Sequence, residues 1–395
     1  MVPLAETTMF NFSSLPPLSL YIHIPWCVRK CPYCDFNSHE AGDDLPQQQY
    51  IRALIDDLEQ DLPLIWGRQI DSIFIGGGTP SLFSAENLDR LLSEIRARLA
   101  IRPTIEITLE ANPGTLETRK LREFRQLGIN RLSLGVQSFN DNHLQKLGRI
   151  HGRSEAIHAA ETALASDFGN FNIDLMYGLP GQTREDVAAD VEQAVALSPT
   201  HISFYQLTIE PNTWFYHHPP AIPDDEQSWS IQRTGQDLLS AHGYHQYEVS
   251  AYARSDHQCW HNFNYWRFGD YLGIGAGAHG KITNAQQQNI TRTRKIRGPG
   301  DYMDTATKTS DSHMLGRQDA AFEFMLNALR LCDGFETSLF SERTGLPVTE
   351  VEQALKIAEQ KDLVHWDVKR IAPTESGQRF LDDLVSLFLP ENQEK

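Results

Sequence analysis

The chain has 395 residues, 40% of them hydrophobic, and 52 acidic against 35 basic side chains give a formal net charge of −17. That length suffices for a large core domain plus a smaller one, and that charge argues against general nucleic-acid binding, which needs a basic surface. Five cysteines, three of them clustered, do not make a disulfide framework and suit a reducing compartment, and no apolar run approaches the roughly 20 residues of a transmembrane segment.

Residues 1–18 read as a polar, proline-containing leader without the basic-then-apolar order of a secretory signal. A cytoplasmic protein is expected, with peripheral membrane contact left open. A β-type run from Ser19 to Ile24 ends at Pro25 and leads directly into Cys27-x3-Cys31-x2-Cys34. Thiolates are soft ligands for iron–sulfur clusters or zinc, and a cubane cluster usually takes four of them. Asp35 and Phe36 follow Cys34, so a cluster here keeps one corner for an outside ligand, by the logic that separates open from closed metal sites. A zinc knuckle is the competing reading, but Cys259 and Cys332 lie far away in the sequence.

The strand–helix unit then repeats. Tyr50, Ile51, Leu54, Ile55, Leu58 and Leu62 recur at helical spacing. Ser72–Ile75 reads as a buried strand running into Gly76-Gly77-Gly78-Thr79-Pro80, and Ser84 as the cap of a helix faced by Leu88, Leu91, Leu92, Ile95 and Leu99. Further strands are expected at Thr104–Glu110, Arg131–Gln137, Phe171–Tyr177 and His201–Leu207, with helices between them and Thr183 capping the last. Six βα units predict an open, partial (β/α)6 barrel over residues 19–207, whose site lies at the C-terminal strand ends. The cysteine loop, the glycine triplet, Glu110, Gln137 and Asp174 all fall at or near such ends.

From 208 to 297 the periodic pattern breaks into an extension rich in aromatic residues, His and Gly, with one clear helix at 226–242. It holds His261-Asn262-Phe263-Asn264-Tyr265-Trp266 and a basic run, Arg292–Arg297, read as a solvated loop or as a contact for an acidic partner, an anionic lipid surface or propionates. Residues 298–395 begin with a polar linker around 298–312. They continue as helix, helix, a hairpin at 363–373 and a final helix, an order like a winged-helix module; in so acidic a chain, packing or a lid is the expected role.

Several polar residues at the strand ends form a set. Gly76–Gly78 remove side chains where a ligand must approach backbone, and they are not a phosphate loop, lacking its Lys and Ser/Thr. Carboxylates such as Glu110 and Asp174 suit hydroxyl and ammonium groups, and Arg149 suits a carboxylate. Taken singly, each also reads as a solvated strand end or tight turn.

Together, the cysteine loop, Tyr21-x-His23-x-Pro25-x-Cys27, the glycine triplet, Glu110-Ala-Asn-Pro-Gly and Gly135-Val-Gln-Ser-Phe resemble the oxygen-independent coproporphyrinogen oxidase-like (HemN-like) branch of the radical S-adenosylmethionine (SAM) superfamily, over nearly the whole chain. The resemblance implies a 4Fe–4S cluster on Cys27, Cys31 and Cys34. It implies SAM held by Tyr21, Gly77, Gly78, Thr79, Glu110, Gln137, Arg149 and Asp174. That branch contains an oxidase class and a HemW-type heme chaperone class. Phe36 where the oxidase carries a further cysteine, the short N-terminal segment and the H-N-x-x-Y-W motif at 261–266 resemble the chaperone class.

An imidazole can ligate heme iron, and aromatic rings give a macrocycle an apolar platform. The chaperone resemblance implies heme contact through His261, Asn262, Tyr265 and Trp266, with Cys259, His257 and His279 as alternative iron ligands. A structural histidine in an aromatic core is the plainer reading. The resemblance further implies client hemoproteins as partners and no catalytic residues of its own, and it leaves a homo-oligomer open. The alternative is the oxidase, a SAM-dependent radical decarboxylation of coproporphyrinogen III.

Overall fold

The structure, a computed structural model, describes residues 10–42, 44–115 and 117–390; the expected leader over 1–18 therefore lies outside the described residues as far as residue 9. Six strands follow one another as neighbours, all parallel: β1 (Leu18–Ile24), β2 (Gln69–Gly77), β3 (Ala100–Ala111), β4 (Arg131–Gln137), β5 (Phe171–Tyr177) and β6 (His201–Gln206). Helices α1 (Gln47–Asp61), α2 (Ala85–Arg98), α3 (Thr118–Gln126), α4 (Asp141–Lys146), α5 (Arg153–Ala165) and α6 (Arg184–Ala196) alternate with them. This is the open (β/α)6 arrangement that the sequence predicts. The expected caps form as well: Ser84 Oγ accepts from Asn87 N at 3.2 Å, and Thr183 and Asp186 cap each other reciprocally.

The period-2 pattern explains what each strand does. In β1, Leu18, Leu20, Ile22 and Ile24 are buried in the hydrophobic core, and Ile73, Ile75, Ile107, Leu109, Ile173 and Ile202 continue that face on neighbouring strands. Full burial of each such side chain contributes about 1.5–3 kcal/mol. The alternate residues turn to the opposite face and are largely polar: Ser19, Tyr21 and His23 on β1, Glu106 and Glu110 on β3, Asn172 and Asp174 on β5. They satisfy one another. Ser72 Oγ donates to Ser19 Oγ at 2.8 Å, and Asn172 Nδ2 donates to Ser133 Oγ at 2.9 Å.

The extension adds to both edges of this sheet. Beyond β6 lie α7 (Trp214–His217), α8 (Asp225–Ala241) and the antiparallel strands β7 (His245–Glu248) and β8 (Ala251–Ala253). After α9 (Trp260–Trp266), strand β9 (Asp270–Ile274) pairs parallel with the free side of β1, followed by antiparallel β10 (His279–Asn284) and β11 (Asn289–Lys295). The polar linker expected around 298–312 is instead α10 (Pro299–Asp304) and an edge strand, β12 (Thr309–Met314). The order is β12-β11-β10-β9-β1-β2-β3-β4-β5-β6-β8-β7.

The extension hides its strands from a hydrophobicity reading because buried charge pairs stand where apolar residues would. Lys281 Nζ lies 2.8 Å from Asp270, and Lys295 Nζ lies 2.6 Å from both Asp57 and Asp61; both lysine side chains are buried. Edge strand β12 is mostly exposed and needs no apolar alternation.

A second core holds the C-terminal part, built on α11 (Arg317–Ala328), α12 (Thr337–Thr344), α13 (Glu352–Gln360) and a three-stranded sheet that includes the expected hairpin, Val364–Trp366 with Arg370–Pro373. Phe10 and Phe12 are buried in this core, with Asn11 N donating to Gly345 O at 2.8 Å. No described helix is long and apolar enough to cross a membrane.

Candidate functional site

Two adjoining cavities open at the C-terminal ends of the parallel strands. The first, about 330 Å³, is walled by Cys27, Cys31 and Cys34 on one side and by Glu110, Gln137, Arg149 and Asp174 on the other, with Gly77 and Gly78 between.

The cysteine loop is fixed at both ends. Trp26–Cys27 pairs with His39–Glu40, Ala41 N donates to Cys27 O at 2.8 Å, and Phe215 N on α7 donates to Pro32 O at 3.0 Å. Cys34 N donates to Cys31 O at 3.1 Å, which turns the loop so that the thiols face one space. Burial raises the thiol pKa of Cys27 and Cys34, and the neighbouring thiols add to the rise. A metal would have to offset that cost by binding thiolates. Among the described residues, no three His, Cys, Asp or Glu side chains converge as a lone metal ion requires. Three thiols on one wall, with no other cysteine among the described residues lining that space, fit a cluster that keeps one corner for an outside ligand.

The glycine triplet is confined by its neighbours. Gly77 has φ +111°, and a Cβ there would meet the His23 ring at 2.5 Å; a Cβ on Gly78 would meet Trp26 O at 2.5 Å. Gly77 N donates to Glu110 Oε2 at 2.9 Å. Burial pushes Glu110 up to about 7, with nearby Asp174 adding to the rise and the Gly77 N–H opposing it. Burial likewise raises Asp174, whose Oδ1 accepts from Asn172 at 2.7 Å. Arg149 donates to Gly135 O at 2.5 Å, to Asn112 Oδ1 and to Cys31 Sγ at 3.6 Å, while its buried Nε has no hydrogen-bond partner among the described residues. Gln137 takes the left-handed backbone, φ +75°, at the end of β4. Its Oε1 accepts from Tyr205 at 2.7 Å.

Thr79 is buried just behind this cavity, where its Oγ1 accepts from Asn112 at 3.2 Å. Tyr21 lines the second cavity and not the first. Asn112 and Tyr205 also line the first cavity and were not among the residues expected from the sequence. Asn112 sits in the strand-end Asn-Pro-Gly, and Tyr205 lies on the inward phase of β6, so both carried a signal.

The second cavity, about 630 Å³, shares Asp35, Phe36, Gly77 and Glu110 with the first. It brings together all four residues expected to contact heme: His261, Asn262, Tyr265 and Trp266. Helix α9 reaches it by closing over the polar interior of the barrel. Glu106 on β3 accepts from Trp260 N at 3.2 Å and His261 N at 3.1 Å, placing a carboxylate at the positive end of the helix. Asn264 Nδ2 donates to Ser19 Oγ at 2.9 Å.

His261 is buried against the half-buried rings of Tyr21 and Phe74, the Phe74 ring centroid lying 5.1 Å away. Its Nδ1 is within 3.1 Å of Ser72 Oγ, and among the described residues Nε2 has no hydrogen-bond partner. Burial, followed by the charge of Arg131, lowers its pKa to about 3, so the ring is neutral and able to bind metal. Of the alternatives, His279 lines this cavity, whereas Cys259 is buried with its thiol on Glu106 at 3.7 Å and His257 lines neither cavity.

The cavities are also mechanically joined. Asn37, just past the cysteine loop, donates to Ala276 O and to Arg297 O, both at 2.9 Å. Its own carbonyl is 2.8 Å from His23 Nε2, and His23 Nδ1 is 2.9 Å from the Tyr21 hydroxyl.

Comparison with known proteins follows the same division. The Radical SAM superfamily profile matches residues 21–194, and the HemN C-terminal domain matches residues 315–380. The heme chaperone HemW of Haemophilus influenzae is 50% identical over 381 residues, covering 95% of this chain and 99% of its own. The heme chaperone HemW of Escherichia coli is 47% identical over 382 residues, with the same two coverages of 95% and 99%. Among solved structures, the coproporphyrinogen III oxidase HemN of Escherichia coli superposes with a TM-score of 0.80 over 95% of this chain and 90% of that one; at 24% identity this likeness concerns the fold.

Proposed function

The chain belongs to the HemW heme chaperone family within the radical SAM superfamily, and from that membership we propose that it binds heme and passes it to client hemoproteins. One observation carries the reading. The aromatic cavity around a neutral, buried imidazole stands directly against the cavity walled by three thiols.

In this reading Cys27, Cys31 and Cys34 hold a 4Fe–4S cluster, and SAM occupies the space between it and the strand ends. Together they supply one-electron reductive chemistry when bound. The protein's own residues hold and orient. The orphaned Nε of Arg149 is a donor for a carboxylate, and Glu110 and Asp174 accept from ammonium or hydroxyl groups. Gln137 and the Gly77–Gly78 backbone close the wall, with Thr79 supporting it from behind. In the second cavity, His261 offers a nitrogen to heme iron, Tyr265 and Trp266 pack against the macrocycle, and Tyr21 and Asn262 complete the lining.

Asn37 and the shared wall give each cavity a physical means of sensing the other, so the cluster and SAM would gate heme transfer. Clustered thiols that must stay reduced suit the cytoplasm. Membrane contact and self-association are further states to be read from vesicle flotation and gel filtration.

The test is to titrate anaerobically reconstituted protein with heme, comparing wild type with His261→Ala by absorbance, and to assay the same preparation for coproporphyrinogen conversion. Heme binding weakened by the substitution, with no conversion, is expected. Conversion to protoporphyrinogen without stable heme binding would overturn the chaperone reading in favour of the oxidase.

A further inference from the structure

The basic run Arg292–Arg297 is divided by strand alternation into groups with different surroundings. Lys295 turns inward to Asp57 and Asp61. Arg292, on the other face, pairs with Glu323 at 2.8 Å. Arg294 and Arg297 have neither arrangement. Both are exposed, both line the second cavity, and neither has an ion pair among the described residues. Unpaired arginines are a notable choice in a chain with 52 acidic side chains for 35 basic ones.

Their field is felt locally. The pKa of His279, on the same cavity wall, is lowered first by burial and then by Arg292, Arg294 and Arg297. The acids of this cavity, Asp35 and Glu110, stand on the wall shared with the first cavity. The cavity is thus polarised, with carboxylates at the cysteine side, aromatic rings and a neutral imidazole between, and free guanidinium groups at Arg294 and Arg297. A guanidinium binds a carboxylate through two parallel hydrogen bonds.

We infer that Arg294 and Arg297 form a carboxylate subsite at the edge of the second cavity, which takes the paired acid groups of a flat aromatic ligand and so orients its apolar body toward His261. This rests on the heme reading above, since heme carries both propionates along one edge. It adds a discriminating element. A macrocycle with those acids masked would still fit the aromatic wall but lose the arginine contacts.

The experiment compares iron protoporphyrin IX with its dimethyl ester as ligands for the full chain, by absorbance titration, in wild type, in Arg294→Gln/Arg297→Gln and in His261→Ala. Wild type should prefer the free acid by roughly ten-fold or more, as expected for two partly exposed charge-assisted contacts. The arginine double variant should lose that preference while binding the ester as wild type does. Survival of the preference in the double variant, or equal weakening of both ligands, would overturn the subsite. If His261→Ala weakens both ligands while the double variant keeps the preference, the heme reading stands and the subsite alone falls. If His261→Ala leaves both bound as in wild type, the iron ligand lies elsewhere and the orientation toward His261 is overturned; if wild type binds neither ligand, the heme reading fails and the subsite falls with it.

Discussion

The cavity on the cysteine side is made by the ends of parallel strands, each delivering one or two side chains from the same place in a repeated unit. The cavity beside it is made by β1 and β2, by Asp35–Asn37, by α9, and by residues on and next to strands β9 to β11, which are distant in the sequence. The first therefore depends on the main core, which fixes where every strand ends. The second depends on how the extension is attached, through the buried pairs Arg68–Asp270 and Asp57–Lys295 and through Asn37. A protein built this way can keep one cavity intact while the other is altered, and substitutions can test how far that independence goes.

The largest separation is expected from Cys27→Ser. It removes one of three thiols at a site with no fourth cysteine nearby, so iron, sulfide and the associated visible absorbance should be lost almost entirely. Heme titration of the same protein should still show binding at the second cavity. Wild-type iron and sulfide content in the variant would break the assignment of the cysteine loop, and loss of heme binding would break the independence of the two cavities.

Asp270→Ala attacks the attachment of the extension. Asp270 is fully buried and accepts from Lys281, from Arg68 at 2.7 Å and from Thr283. Removing it strands two cations in the interior, a loss of about 3–5 kcal/mol that denaturant unfolding would measure. Lys281 and Arg68 hold its carboxyl below the ordinary aspartate range despite burial. Its stabilising contribution is therefore complete above the unfolded-state value and is lost as pH falls through the lower folded one. A stability equal to wild type at neutral pH would mean that the extension is held by something other than these charges.

Gly77→Ala should have a smaller effect that reaches both cavities. The left-handed backbone at φ +111° costs an alanine about 1–3 kcal/mol. Its methyl would also push the His23 ring, which lies between Tyr21 and Asn37. SAM and heme affinities should fall together in equilibrium titrations. A change confined to one ligand would show that the shared wall does not couple them.

How legible each region was follows from its construction. The six βα units could be read because Leu18, Leu20, Ile22 and their counterparts alternate with polar residues, and the site residues stood where that alternation ran out. The cysteine loop stood out because three soft ligands fall within eight residues, and the structure turns all three toward one space. Strands β10 and β11 were not, since Lys281 and Lys295 occupy inward positions and look solvated until their partners, up to 238 residues away for Asp57 and Lys295 by subtraction, are brought beside them. Tyr21 shows the limit from another direction. Its strand and phase could be read, but which of two neighbouring cavities it enters depends on the ring of His261, supplied by α9 from the extension. The division of Arg292–Arg297 into paired, buried and free cations was equally invisible without the register of β11.

The smallest effect expected, and the one that bears most closely on the shared wall, comes from Glu110→Gln. Glu110 titrates at about 7 because burial, and then Asp174, oppose its charge. Its folded value lies above its unfolded one, so its carboxyl stabilises the ligand-free fold most below the unfolded value, and that contribution is lost as pH rises through about 7. The loss should stay below about 2 kcal/mol, because the carboxyl faces a cavity open to water. Glutamine keeps an oxygen for the Gly77 N–H and has no proton to lose, so the variant's stability should change less between pH 5.5 and 8. The two histidines nearest this wall cannot produce that slope, since burial holds His261 at about 3 and His23 at about 4, neutral throughout the range. The wall they share with Glu110 therefore makes heme affinity a direct probe. A slope in heme binding over that range that disappears in Glu110→Gln would show the shared carboxylate acting on the second cavity, and a slope unchanged by the substitution would assign it to other groups.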